Sequence, residues 1–372
     1  MLFALTGSRT PMSLHPSGLV AGSLIVLAVY WEAFETIVFP RRVSRRFRLT
    51  RAFYQATWLP WRAIGSRLRP GKRRETFLSV YGPISLLLLL GAWVVLLVLA
   101  FALLHWGAGS RLQAPAGMRQ VEADLLLSGA TLFTLSLGEV APVSNLERFF
   151  MILEAGTGLA FLAMVIGYLP MLSQAFSRRE ANVALLDARA GSPPSAGELL
   201  LRHLDLEGKE SLAPLLEQWE RWSADLLETH ISFPVLAYYR SQHDNQSWVA
   251  ALTTILDVCA LVISGLEGEP VRSARLTFAM ARHAAVDLSR IFRLQPRPPG
   301  TDRLNAAELE HLREAFGAAG LSLRRGAEAD DHLLRLRQMY EPPMNALAEF
   351  LLMGLPTWAS PKGAQDNWQS MA

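Results

Sequence analysis

The sequence predicts an all-α membrane protein with three transmembrane helices per chain and a helical cytoplasmic domain. Three observations predict it. Of 372 residues, 51% are hydrophobic and only 19% charged, too apolar for a soluble chain of this length. Runs at 18–39, 80–106 and 149–176 each reach the roughly 20 apolar residues that a bilayer-crossing helix needs. Beyond residue 177, apolar residues recur at spacings of three and four, as in APLLEQWERWSADLLETH and NAAELEHLREAFGAAG, the pattern of amphipathic helices.

The first run, within an N-terminal segment 1–40, lacks the basic flank and the small-residue cleavage site of a secretory signal, so it is expected to stay as a span. Segment 41–79 is a basic loop. Between 41 and 74 it holds twelve basic residues and no acidic one, which leaves the rest of the chain at −9 although the net charge is +3. A basic block beside an apolar run reports membrane topology, not nucleic-acid binding. With Arg178 and Arg179 after the third run, every loop agrees on one orientation: N-terminus outside, basic loop inside, 107–148 outside, and the C-terminal part cytoplasmic at the cell membrane. Within the loop, RAFYQATWLPWRAIG intersperses Phe53, Tyr54, Trp58 and Trp61 with polar residues, the pattern of an interfacial helix lying against anionic headgroups. Arg42, Arg45, Arg48 and Arg51 are spaced as in a voltage sensor. Ser44, Arg46 and Thr50 between them rule out a hydrophobic span, so the arginines are read as a solvated anchor.

Segment 177–197 reads as a linker, 198–355 as the cytoplasmic helical domain and 356–372 as a disordered tail. Residues 248–266 are nearly apolar enough for a fourth span. Asp257 near the middle and the missing basic flank favour a buried central helix instead. The stretch HISFPVLAYYRSQHDNQSW, dense in aromatic and polar residues, is read as helix–loop–helix packing core or as a regulatory surface. Cys259 is the only cysteine, which excludes an intrachain disulfide, and no histidine pair has metal spacing. No GxGxxG opens a helix, and no nucleophile–base pair or phosphate loop marks an enzyme. No cofactor and no nucleic-acid partner is expected.

Between the second and third spans, TLFTLSLGEVAP (131–142) is too short to cross a bilayer. Residues 121–133, VEADLLLSGATLF, predict a short helix with Glu122 and Asp124 at its positive end. A short helix, an extended segment and a returning span make a re-entrant loop, tolerated at membrane depth only where it lines water or is buried in protein. Here the chain resembles tetrameric potassium channels. Thr134, Leu135, Gly138, the acid Glu139 and Pro142 match the filter pattern T-V/L-G-Y-G-D-x-x-P, and Arg148 and Gly158 also fall at family positions. Over residues 80–176 the chain is similar to bacterial potassium channel family proteins of the two-span type. It departs from them at Ser136 and Leu137, where the family has glycine and tyrosine.

The resemblance implies a homotetramer and passive conduction of monovalent cations, potassium above all, with carbonyls of the filter Thr134, Leu135, Ser136, Leu137 and Gly138 replacing an ion's hydration shell. Glu139 would ring the outer mouth. Leu159, Leu162, Ile166 and Pro170 would line an inner cavity that gates by dewetting, with Gly158 as hinge. Glu154 is a carboxylate inside a span and so marks a functional or paired site. It lies about 140° from Leu159 around the helix, toward the pore helix, where it is expected to brace the filter and to titrate. Glu32 and Glu35 are read as partners of the arginines at 41–46, and Gly156, Gly158 and Gly167 as hinges or close-packing positions. Ser136 and Leu137 loosen the expected filter, and a non-conducting sensor of the same architecture is the rival reading.

Overall fold

A computed structural model describes residues 14–38, 49–135, 137–204, 211–243, 245–268, 270–298 and 300–360. The described residues are 75% helical, and three helices are long and apolar enough to cross a membrane. They fall into two compact units. The first holds 14–38, 49–53 and 86–171; the second holds 54–85 and 172–360.

In the first unit, α1 (Pro16–Ala33) starts on a proline, whose missing N–H is no loss at a helix N-terminus, and ends in a wider π turn, Phe34–Val38. Its glycine face meets α4 (Tyr81–Gly107). A Cβ on Gly22 would lie 2.6 Å from the Ala100 carbonyl oxygen, and one on Gly18 would lie 2.6 Å from the Trp106 ring. The Gly18-xxx-Gly22 spacing thus lets two backbones approach where no hydrophobic effect drives association. His15 stacks on Trp106 at 4.6 Å and donates its amide to the Gly107 carbonyl at 3.0 Å, so the two helices run antiparallel. Glu32 is buried and accepts from the Leu49 amide (2.9 Å), the Thr50 amide (3.1 Å) and the Thr50 hydroxyl (2.8 Å). It caps α2 (Leu49–Arg67); the arginines at 41–46, its expected partners, lie outside the described residues. Glu35 is buried as well.

After α4 come β1 (Leu112–Gln113), α5 (Gln120–Leu132), β2 (Ala141–Pro142) and α6 (Asn145–Ala190). β1 and β2 pair antiparallel with Leu112 opposite Pro142, and this ribbon ties the two ends of the loop together. α6 runs unbroken for 46 residues past Gly158, Gly167 and Pro170, so most of the expected linker at 177–197 is the continuation of that helix.

The second unit is a helical bundle: α7 (Ala196–Leu204), α8 (Leu212–Ser232), a 3₁₀ turn Pro234–Tyr238, α9 (Trp248–Ser264), α10 (Val271–Ile291), α11 (Ala306–Ala318), α12 (Ala327–Gln338) and α13 (Glu341–Leu351). α9 is the buried central helix, packed by α7, α10, α12 and α13. Asp257 on α9 accepts from Arg303 Nη2 and from the Tyr340 hydroxyl, both at 2.5 Å. Burial pushes this carboxyl upward, and the guanidinium and hydroxyl hold it down. Arg303 and Arg337 both stand over the Trp358 ring, at 5.7 and 5.5 Å. Trp358 is buried and its carbonyl accepts from the Gly197 amide at 2.8 Å. The expected tail therefore packs through residue 360; 361–372 lie outside the described residues.

The basic loop differs most from expectation. Tyr54 and Trp58 are buried inside the second unit, with Trp58 against Tyr238 at 5.0 Å and Phe350 at 6.2 Å, and its Nε1–H reaching the Phe350 carbonyl. Arg62 and Arg74 donate to the Glu349 and Leu352 carbonyls at 3.1 and 3.2 Å. Of the aromatic residues expected at headgroups, Tyr54 and Trp58 are covered by protein while Phe53 and Trp61 are half-buried, because an apolar ring gains as much from a bundle surface as from an acyl boundary. Leu59 and Ile64 remain exposed on α2. The helix–loop–helix stretch is packing core over 235–238, and buried Arg179 donates to the Leu236 and Tyr239 carbonyls at 2.8 and 2.9 Å.

Candidate functional site

The loop between α5 and α6 is positioned by the way α5 ends. Thr134 donates its amide to the Thr131 carbonyl at 3.0 Å, and Leu135 donates to Ala130 at 2.7 Å. That pair of bonds, with Thr134 at φ +55°, is a Schellman cap. Glycine usually holds that position. A threonine there costs about 1–2 kcal/mol unless its surroundings impose the conformation. Gly138, four residues on, has φ +70°. The segment is thus pinned by two left-handed residues, and the first of its five expected filter residues serves as the helix cap. Ser136 lies outside the described residues. Thr134, Leu135, Leu137, Gly138 and Glu139 are all exposed.

Beneath the loop lies a polar cluster built from three helices. Glu154 of α6 is fully buried and bonds to the Ser128 hydroxyl of α5; Ser128 also donates to the Val98 carbonyl of α4 at 2.9 Å. His105 Nε2, buried at the end of α4, stands 3.5 Å from the second Glu154 oxygen. Glu154 therefore braces the middle of α5, the helix that leads into the expected filter. Sequence reasoning found Glu154 and missed Ser128 and His105. The signal available was a polar side chain within an otherwise apolar stretch in each case.

A second support sits toward the ribbon. Buried Glu147 accepts from the Arg111 amide and from the Ser144 hydroxyl at 3.0 Å, and buried Asp124 accepts from Ser110 at 2.7 Å. Both acids hold the chain segments that enter and leave the loop.

Gly158 packs against the end of α5. Any Cβ there would overlap the Leu132 carbonyl oxygen, whereas nothing lies within 4 Å of a Cβ on Gly156 or Gly167. Gly158 is thus a close-approach position, and α6 is continuous through it. On the far side of α6, Leu159, Leu162 and Ile166 are 58, 56 and 64% exposed, and Pro170 is exposed beside them. At 100° per residue these four positions form one stripe. The stripe faces away from Glu154, as the helical offsets require. Among the described residues no three histidine, cysteine or acidic side chains converge as for a metal ion.

Residues 84–173 match a family model described as Ion channel. That match supports an ion channel, and it covers α4, α5, the loop and α6 to just past Pro170. No curated protein and no solved structure matches the chain. The matched family and the apolar helices together describe a membrane protein.

Proposed function

We propose that the protein is a passive cation channel in which four copies close one pore about a common axis. One chain supplies one loop, so a ring of coordinating carbonyls requires several chains around a closed rotation. The reading is carried by the exposed segment after α5, pinned by left-handed Thr134 and Gly138 above the buried Ser128–Glu154 bond, within the segment similar to ion channels. Carbonyls of Thr134, Leu135, Ser136 and Leu137, with the Thr134 hydroxyl, would take the place of hydration water around potassium or sodium. The C-terminal end of α5 adds about half a negative charge beside the loop, which favours a cation there. Glu139 would collect cations at the mouth. The stripe Leu159, Leu162, Ile166 and Pro170 would line the inner cavity and close it by dewetting, biased by the helical unit. The arginine distribution supports an external N-terminus and a cytoplasmic helical unit at the cell membrane.

Ser136 and Leu137 favour a less selective filter and also a second reading, a non-conducting sensor with the same helices. Flux in liposomes separates the two. Purified protein should carry potassium flux that Gly138→Asp abolishes while oligomer size stays unchanged. Flux that survives in the variant rejects the filter assignment, and no flux in the parent protein favours the sensor.

A further inference from the structure

The outward face of α2 is apolar where a solvated helix would be polar. Nine residues of Leu49–Arg67 are exposed, and six of them are apolar: Ala52, Ala56, Leu59, Pro60, Ala63 and Ile64. Leu59 and Ile64 are each more than half exposed. At 100° per residue these six share an arc of about 140°, and buried Tyr54, Trp58 and Gly65 share an arc of about 40° on the opposite side. α8 shows the usual pattern. Its exposed residues are Pro214, Glu217, Gln218, Arg221 and Glu228, one apolar in five. We propose that the outward face of α2, with the arginines that follow it, docks on the anionic headgroup layer of the membrane that the chain spans.

Charge selects that occupant. Arg67, Arg69 and Arg73 are exposed, and among the described residues no acid pairs with them. Arg62 and Arg74 differ, since both donate to carbonyls of the bundle. Glu75, the first acid after residue 41, is held by Arg240 at 2.9 Å. An apolar strip edged by uncompensated arginines suits a headgroup layer: the strip enters the acyl boundary and the guanidinium groups meet lipid phosphates. A second copy docked face to face would cover the strip too, but it would set arginines against arginines.

Connectivity brings the face to the right depth. Residues 39–48 join α2 to the apolar α1, and α4 begins two residues after α3 (Lys72–Ser79) ends. The run Lys72–Gly107 holds 36 residues against the roughly 20 that cross a bilayer, so its basic start lies outside the hydrocarbon. The lipid contact of this segment therefore falls on the side of α2 opposite Tyr54 and Trp58, which the bundle covers.

The proposal rests on a membrane location and not on conduction. Full-length protein in liposomes carries Leu59→Cys or Ile64→Cys labelled with bimane; native Cys259 is buried and stays unlabelled. Each label is quenched in turn by a nitroxide-bearing lipid and by aqueous iodide, in phosphatidylcholine with and without phosphatidylglycerol. The lipid quencher should dominate at both positions, as it should at exposed Leu27→Cys on α1. Phosphatidylglycerol should strengthen that preference. Arg67→Gln and Arg73→Gln, both exposed changes, should each weaken the docking equilibrium about fivefold and raise iodide quenching, with the melting temperature unchanged. Gly138→Asp, expected to abolish flux, should give the same quenching as the parent protein. Quenching by iodide alone puts the face in water, and quenching by neither puts protein over it, a second copy included; each overturns the proposal. Lipid quenching that ignores both phosphatidylglycerol and the two arginines rejects anionic headgroups as the occupant.

Discussion

Two strongly apolar helices of this chain, α9 and α6, meet opposite surroundings. α9 is buried along its whole length apart from half-buried Ile263, covered by amphipathic helices of the same chain. α6 leaves Leu159, Leu162 and Ile166 more than half exposed and buries an acid, Glu154, on its other side. α9 buries one carboxylate, Asp257, whereas α6 buries Glu147, Glu154 and Asp187. Asp257 meets a guanidinium and a phenol; Glu154 meets a serine and a histidine. Hydrophobicity alone therefore does not separate a bundle core from a membrane helix. What separates them is whether the chain's own amphipathic faces suffice to cover the helix, and what partners its buried acids find.

The comparison breaks most sharply at Asp257. Asp257→Ala leaves Arg303 and the Tyr340 hydroxyl buried without their partner, and removing one member of such a pair costs about 3–5 kcal/mol. Urea unfolding followed by circular dichroism should show a correspondingly lower midpoint. A loss under about 1 kcal/mol would mean that water reaches the pair and that α9 is less enclosed than it stands here.

In α6 the matching site is the glycine that meets α5. Gly158→Ala pushes a methyl into the Leu132 carbonyl, which neither backbone can yield without shifting the cap at Thr134. Overpacking of this kind costs about 1–3 kcal/mol. The expected outcome is a lower melting temperature of the detergent-solubilised protein together with reduced potassium flux. Normal stability and flux would show that neither the close approach nor backbone freedom at Gly158 is needed.

Much of this was legible beforehand because it is local. The short helix expected at 121–133 is α5 shifted by one residue, since acids at its start and the apolar run mark it. The burial of 248–264 followed from Asp257 in its middle. What was not legible depends on residues far apart in sequence. Trp58 finds Tyr238 and Phe350 across the bundle, and no local pattern tells that surface from a headgroup layer. Ser128, His105 and Glu154 come from three helices, so their meeting needs the packing first. Thr134 at a glycine position hid the form of the helix cap, because propensity argues against a left-handed threonine.

His230 sharpens the same contrast through pH. It is fully buried on α8, with Nδ1 at 2.7 Å from the Leu226 carbonyl and Arg179 beside it. Burial, then the nearby guanidinium, lower it to about 3. The unfolded chain takes up a proton below about 6.5 and the folded one does not, so stability falls as pH drops from about 6.5 toward 3. The limiting slope is about 1.4 kcal/mol per pH unit. Urea midpoints measured from pH 7 to 4.5 should show that decline, and His230→Gln should remove this share of it. Parallel curves for the two proteins would show that His230 is protonated, or hydrated, within the fold.

The smallest expected effect on stability belongs to the exposed stripe. Leu162→Ala removes a side chain that is 56% exposed within its own chain, so the change in unfolding free energy should stay within about 0.5 kcal/mol. The same substitution at fully buried Leu256 of α9 should cost about 2–5 kcal/mol, since it leaves a cavity. Conduction should respond the other way round. A narrower apolar side chain at 162 widens the proposed cavity and eases its wetting, raising the leak current of the resting channel, whereas Leu256→Ala acts only through folding. If Leu162→Ala instead costs as much as Leu256→Ala and leaves the current untouched, the stripe is packed against protein in the assembled state, and the gate lies elsewhere on α6.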